Sequence, residues 1–203
     1  MKDRSLRGAV SLVALLNLAY FGIEFGMALR IGSVSLIADS IDFLEDTSLN
    51  LLILIGLGWN ARWRARLGIV LSGILLIPSL ATLWMAWNKF LLPIPPSAVP
   101  LSITGFGALA VNLSCAFILA AYRHHRGSLT RAAFLSARND AYANVAIILS
   151  GAVTSYTLSV WPDLLVGVGI GVLNAGAAWE VYEAGRQERQ LADGESMKRT
   201  SEG

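Results

Sequence analysis

Histidine and cysteine are nearly missing from this chain: two of the former and one of the latter, Cys115, in 203 residues. A single cysteine rules out a disulfide within the chain, and in an apolar helix it reads as a small packed side chain. The histidines, His124 and His125, are adjacent and lie between Arg123 and Arg126. Neighbouring side chains on a loop point different ways, and basic flanks repel a divalent cation, so the pair reads as solvated loop. Charge is scarce as well, at 15% of residues against 55% hydrophobic, with a mean hydropathy of +0.58. That is too apolar for a water-soluble domain and predicts an integral membrane protein.

The apolar segments divide the chain. The first runs from about Gly8 to Leu29 and is long enough to cross a hydrocarbon core of roughly 30 Å. It exceeds the core of a signal peptide, and it contains Asn17 and Glu24, seven residues apart on one face. A second helix ends near Gly58 and is followed by a basic loop, Asn60 to Arg66, holding Trp63. The third, about Leu67 to Phe90, is expected to kink at Pro78, and the four prolines between Leu91 and Pro100 make a loop. The fourth covers about Leu101 to Tyr122 and carries Asn112, the fifth about Ala132 to Leu158, and the sixth about Pro162 to Ala184. In the sixth, Trp161 is an interface anchor, Pro162 sits where its missing donor is harmless, and Gly167 and Gly171 allow close packing. A glycine-rich nucleotide loop is excluded there, because no strand precedes it. The chain thus reads as an all-α membrane protein, a bundle of transmembrane helices over residues 1–184 with a polar tail over 185–203.

The unusual segment is the second. Asp39, Asp42, Glu45 and Asp46 interrupt an otherwise lipid-grade helix. On insertion scales each ionised Asp at the bilayer centre costs about 2.5 to 3.5 kcal/mol, whereas each Leu or Ile returns only about 0.3 to 0.6. Asp39, Asp42 and Asp46 fall at i, i+3 and i+7, along one face, and that face calls for a cation. On the fifth helix Asp140 and Asn144 are again one turn apart. With about 1.5 Å of rise per residue, both pairs lie roughly 12 to 18 Å from their helix starts, near mid-membrane.

Lys and Arg decide the orientation. Lys2, Arg4 and Arg7, Arg62 to Arg66, Arg123 to Arg131 and Arg186 to Arg199 fall on the terminal side, against Arg30 and Lys89 on the other. Both termini are therefore expected in the cytoplasm of a multi-pass protein of the inner or plasma membrane. The second and fifth helices then run antiparallel and bring their polar pairs face to face.

The run Gly32-Ser33-Val34-Ser35-Leu36-Ile37-Ala38-Asp39 leading into Asp42 and Asp46, preceded by Asn17 to Glu24, resembles the first two helices of the cation diffusion facilitators. The resemblance extends over all six helices. It implies a metal site of two residues from the second helix, Asp42 and Asp46, and two from the fifth, Asp140 and Asn144, binding a divalent ion exchanged for protons. Asn144 stands where aspartate is usual and Asp140 where histidine is common. Most members continue into a soluble cytoplasmic metal-binding domain; the short tail here implies a form without it, leaving the transmembrane helices as the surface for any homodimer.

Three carboxylates and an amide oxygen form a harder ligand set than zinc favours, which advances manganese, cobalt, iron(II) or magnesium, although zinc also accepts carboxylates. Three ionised aspartates exceed the charge of a divalent ion, so an empty site must hold protons, and metal binding expels them. The expectation is a proton-coupled exporter of divalent cations with no resident cofactor, the metal being substrate. The partners are metal ions, protons and the lipid bilayer, with no nucleic acid. Two other readings stay open: a passive cation channel, and a structural bundle whose carboxylates pair with Arg138. An enzyme is not expected, since aspartates at i and i+4 lack a water-activating partner beyond a metal.

Overall fold

The computed structural model describes residues 2–56, 70, 80–121 and 127–174. The basic loop at 60–66, Pro78, the His124-His125 loop and the tail lie outside the described residues. Six helical segments are seen: α1 (Lys2–Ile31), α2 (Val34–Gly56), α3 (80–91), α4 (Ala98–Ala120), α5 (Gly127–Thr157) and α6 (Trp161–Asn174). No strand occurs among the described residues. Two helical stretches, Leu6–Ile31 and Ala98–Ala120, are long and apolar enough to cross a membrane.

The helix ends follow local chemistry. α4 begins at Ala98 after Ser97, whose backbone is extended, so Pro100 falls in the first helical turn rather than in the loop. Its missing N–H would have no partner there in any case. Between α1 and α2 two residues make the whole reversal. Gly32 takes φ +66°, the left-handed conformation that closes a helix. The Ser33 N–H then donates to Ala28 O at 3.0 Å, closing α1. The Ser33 hydroxyl accepts from the Leu36 N–H at 3.1 Å, capping α2.

The contacts between helices fix their directions. Asn17 meets Asp46 and the Tyr20 ring packs at a tilt against Phe43, so α1 and α2 are antiparallel. Asn112 meets Asn144 while Ser102 lies against Gly151, so α4 and α5 are antiparallel too. α6 runs alongside α2 in the same direction: Asp163 touches Ser33, and Asn174 donates to Ala38 O at 3.1 Å. A Cβ on Gly167 would come within 2.6 Å of the Ser35 nitrogen, so only glycine lets these two backbones approach this closely. Gly171 has no such constraint, its nearest neighbour being Thr82 at 3.8 Å.

Polarity is distributed the reverse way from a water-soluble protein. Asn17, Glu24, Asp39, Asn112 and Asn144 are buried between helices, whereas Leu15, Leu83, Phe106, Phe117, Leu149 and Leu173 are exposed on the outside. Apolar core remains where helices touch without polar business, as around Val10, Val13 and Leu119, and around Leu36, Ile37 and Ile147.

Candidate functional site

The face of α2 that carries carboxylates points into the bundle: Asp39, Asp42 and Asp46 are all buried. Glu24 and Asn17, on one face of α1, are wholly buried beside it. The antiparallel register of α2 against α5 determines which residues meet. The Ser136 hydroxyl donates to Asp46 Oδ1 at 2.8 Å, and at the other end the Asn144 amide donates to Asp39 Oδ2 at 2.6 Å. Between these two ties Asp42 stands level with Asp140.

The four residues expected to act together are thus staggered over three levels. Asp42 and Asp140 line one cavity of about 480 Å³, together with Glu45, Ser136, Asn139 and Asn174. Asp46 lies one turn further along α2, held by Ser136 and by the Asn17 amide at 3.4 Å. Ser136 also lines the cavity beside Asp140, so it stands between the levels. Asn144 lies one turn the other way, its amide on Asp39 and its carbonyl oxygen accepting from Asn112 at 3.0 Å. Among the described residues, no three His, Cys, Asp or Glu side chains are gathered tightly enough to hold a metal ion.

The surroundings of the cavity are acidic. Among the described residues no Lys or Arg lines it. Arg138, two residues from Asp140, is exposed and turns its guanidinium to Asn139 at 3.3 Å. Hard oxygen donors in a cavity free of cations can take a divalent cation with some of its water retained.

Several contributors were not singled out from sequence. Ser136 precedes Asp140 by one turn, so its face was legible, but a serine in a helix carries no signal of its own. Asn174 closes the cavity from α6, a helix whose sequence reads as packing. Asp163 is buried at the start of α6 and accepts from Ser33 Oγ (2.6 Å), Ser35 Oγ (2.6 Å), the Val34 N–H (2.8 Å) and the Ser35 N–H (3.2 Å). It completes the cap of the carboxylate helix, where the helix dipole also favours a negative charge. The signal available was a lone acid inside an apolar segment just past the Trp161-Pro162 boundary.

Comparison with known families returns one finding that bears on all of this. The profile of the cation efflux transmembrane domain matches residues 10–187. No curated relative matches the chain.

Proposed function

The chain belongs to the cation efflux family, the cation diffusion facilitators, and from that membership we propose that it is a proton-coupled exporter of divalent metal ions. The members are transporters, which sets the function in transport rather than catalysis. The observation that carries the finer reading is the shared cavity of Asp42 and Asp140, contributed by antiparallel α2 and α5 and lined by no basic residue among those described. Asp46 and Asn144, one turn away on either side, complete the ligand set by small side-chain movements as the substrate ion enters. The oxygens of both are held by hydrogen bonds that a divalent ion can replace: Ser136 and Asn17 donate to Asp46, and Asn112 donates to the carbonyl oxygen of Asn144.

Coupling follows from charge. Asp42, Asp46 and Asp140 present three carboxylates to an ion of charge +2, in surroundings that disfavour net charge. Carboxylates bind metal only when deprotonated, so loading the site releases protons and reprotonation releases the metal. An oxygen-only ligand set favours manganese, cobalt or iron(II)-type ions, with zinc accepted. The asymmetry of Lys and Arg supports cytoplasmic termini in a multi-pass inner or plasma membrane protein, and outward transport is taken from membership of the efflux family. Against the structural reading, Arg138 is exposed and turned to Asn139, and the helix polar groups that do hold Asp46 and Asp39, namely Ser136, Asn17 and Asn144, carry no charge to offset theirs.

Uptake of manganese or zinc into proteoliposomes, with and without an imposed pH gradient, tests this. Uptake driven by a gradient of protons from the destination side is expected. Flux indifferent to that gradient would convert the reading to a passive channel.

A further inference from the structure

Two buried carboxylates remain outside the ligand set just described. Glu24 on α1 and Asp39 on α2 are each wholly inaccessible to solvent, and the antiparallel register that sets Asn17 against Asp46 and Tyr20 against Phe43 brings the two level with one another. Neither brings a donor to the meeting. Both oxygens of Glu24, and Oδ1 of Asp39, have no hydrogen-bond partner. Buried polar atoms are almost always satisfied, and a buried carboxylate without a partner is among the most costly exceptions. The helices that carry and flank the pair offer no basic side chain near it: α1 has no Lys or Arg between Arg7 and Arg30, and the described α2 and α4 have none.

The rest of the neighbourhood orients these oxygens. Asp39 Oδ2 is taken by the Asn144 amide at 2.6 Å, and Asn144 is in turn held by Asn112 at 3.0 Å. That chain of amides holds the Asp39 carboxylate by Oδ2 and leaves Oδ1 free, as outer hydrogen bonds fix a ligand carboxylate. A proton shared between the two groups satisfies one oxygen of each and leaves the second oxygen of Glu24 without a partner. A cation bound by both oxygens of Glu24 and by Asp39 Oδ1 satisfies all three, and hard divalent ions keep water on their remaining positions.

We propose that Glu24 and Asp39 form a second cation station beside the Asp42–Asp140 cavity, toward the α1–α2 turn, so that one chain holds two divalent ions at once. The inference rests on the transporter reading for its choice of ion. Asp39 precedes Asp42 by one helical turn, a rise of about 4.5 Å, so an ion leaving the cavity toward the turn meets this station next. Charge agrees: with Glu45, which also lines the cavity, the carboxylates Glu24, Asp39, Asp42, Asp46 and Asp140 make six, more negative charge than one divalent ion offsets.

The test counts manganese bound by the purified full-length chain in lipid nanodiscs, with Mn²⁺ alone as probe and the free ion quantified by electron paramagnetic resonance. Two equivalents per chain are expected for the wild type and one for Glu24→Gln and for Asp39→Asn, which keep side-chain shape. The double variant Asp42→Asn/Asp140→Asn is expected to keep the other equivalent. A wild type that saturates at one equivalent overturns the proposal without recourse to any variant. So does a Glu24→Gln chain that binds as many ions as the wild type. A double variant that retains both equivalents, beside a Glu24→Gln chain that loses one, overturns instead the reading of the cavity as the transport site.

Discussion

The side-chain amide of Asn144 donates to Asp39 at 2.6 Å, one turn of α2 away from the Asp42 and Asp46 pair that Asn144 was expected to join. Its carbonyl oxygen is also engaged, by Asn112 at 3.0 Å. Both ends of the amide are used, and with Asn144 wholly buried the contact is worth more than an exposed one. Asn144→Ala leaves a buried carboxylate oxygen and a buried amide without partners, which is expected to cost about 1 to 3 kcal/mol. Thermal unfolding of the purified protein in chelator checks it, and a melting temperature equal to the wild type would show that Asp39 is satisfied in another way.

The cavity itself predicts a graded series. Asp42→Ala and Asp140→Ala are expected to abolish metal transport while the protein remains folded in the membrane, because each removes a carboxylate lining the cavity. Asp46→Ala is expected to do the same through loss of a ligand one turn away. Glu45, set to one side of Asp42 on the helical wheel, nevertheless lines that cavity and is half-buried. Glu45→Ala is therefore expected to weaken apparent affinity with little effect on maximal rate. Normal transport by Asp140→Ala would remove α5 from the site.

Asp163 offers a test that touches no proposed ligand. It accepts four hydrogen bonds from the first residues of α2, so Asp163→Ala strips the cap from the helix that carries the site. Loss of a cap costs about 0.5 to 2 kcal/mol, and loss of bonds to a buried charge more. A fall of several degrees in melting temperature is expected, with Asp163→Asn intermediate because it keeps one acceptor oxygen. If Asp163→Ala and Asp163→Asn melted alike, the charge and the acceptor number would be irrelevant to the cap.

Orientation is checked by single cysteines placed at Ser5, Ser97 and Ser201 in a Cys115→Ala background. Cys115 is itself buried and 3.5 Å from Asn17 Oδ1, so its replacement removes only an interior thiol. From outside intact cells an impermeant reagent is expected to reach position 97 and neither of the others. Labelling at 5 or 201 alone would reverse the topology.

How much of this was legible beforehand depends on the kind of signal. The inward face of α2 followed from the i, i+3, i+7 spacing of Asp39, Asp42 and Asp46, since helical period alone puts them together. The shared face of Asn17 and Glu24 was legible for the same reason, and both are buried. The register between α2 and α5 was not legible, because nothing in either sequence says whether Asp42 lies opposite Asp140 or opposite Asn144. A shift of one turn, about 5.4 Å, separates a compact four-residue site from the staggered one observed. The capping of α2 by Asp163 was hidden by distance along the chain. Ser33 announces a local cap, but a carboxylate that comes from some 130 positions later leaves no trace in the local pattern.

Selectivity gives the sharpest test, because no histidine of the described residues stands near the cavity and its lining offers oxygen donors only. Asp140→His places a borderline nitrogen donor where a hard carboxylate stood and lowers the charge of the site by one. Both zinc and manganese lose Coulomb attraction by that change. Zinc recovers more of it, since its bond to imidazole nitrogen is the stronger of the two in the order of divalent affinities. The ratio of the ions is therefore the informative quantity, being insensitive to a general loss of activity. Competitive flux with zinc and manganese together, in wild type and Asp140→His, is expected to show the zinc-to-manganese ratio rising in the variant. A ratio unchanged or lowered in a folded variant would mean that Asp140 does not contact the ion, and the site would then have to be rebuilt around Asp42 and Asp46 without α5's carboxylate.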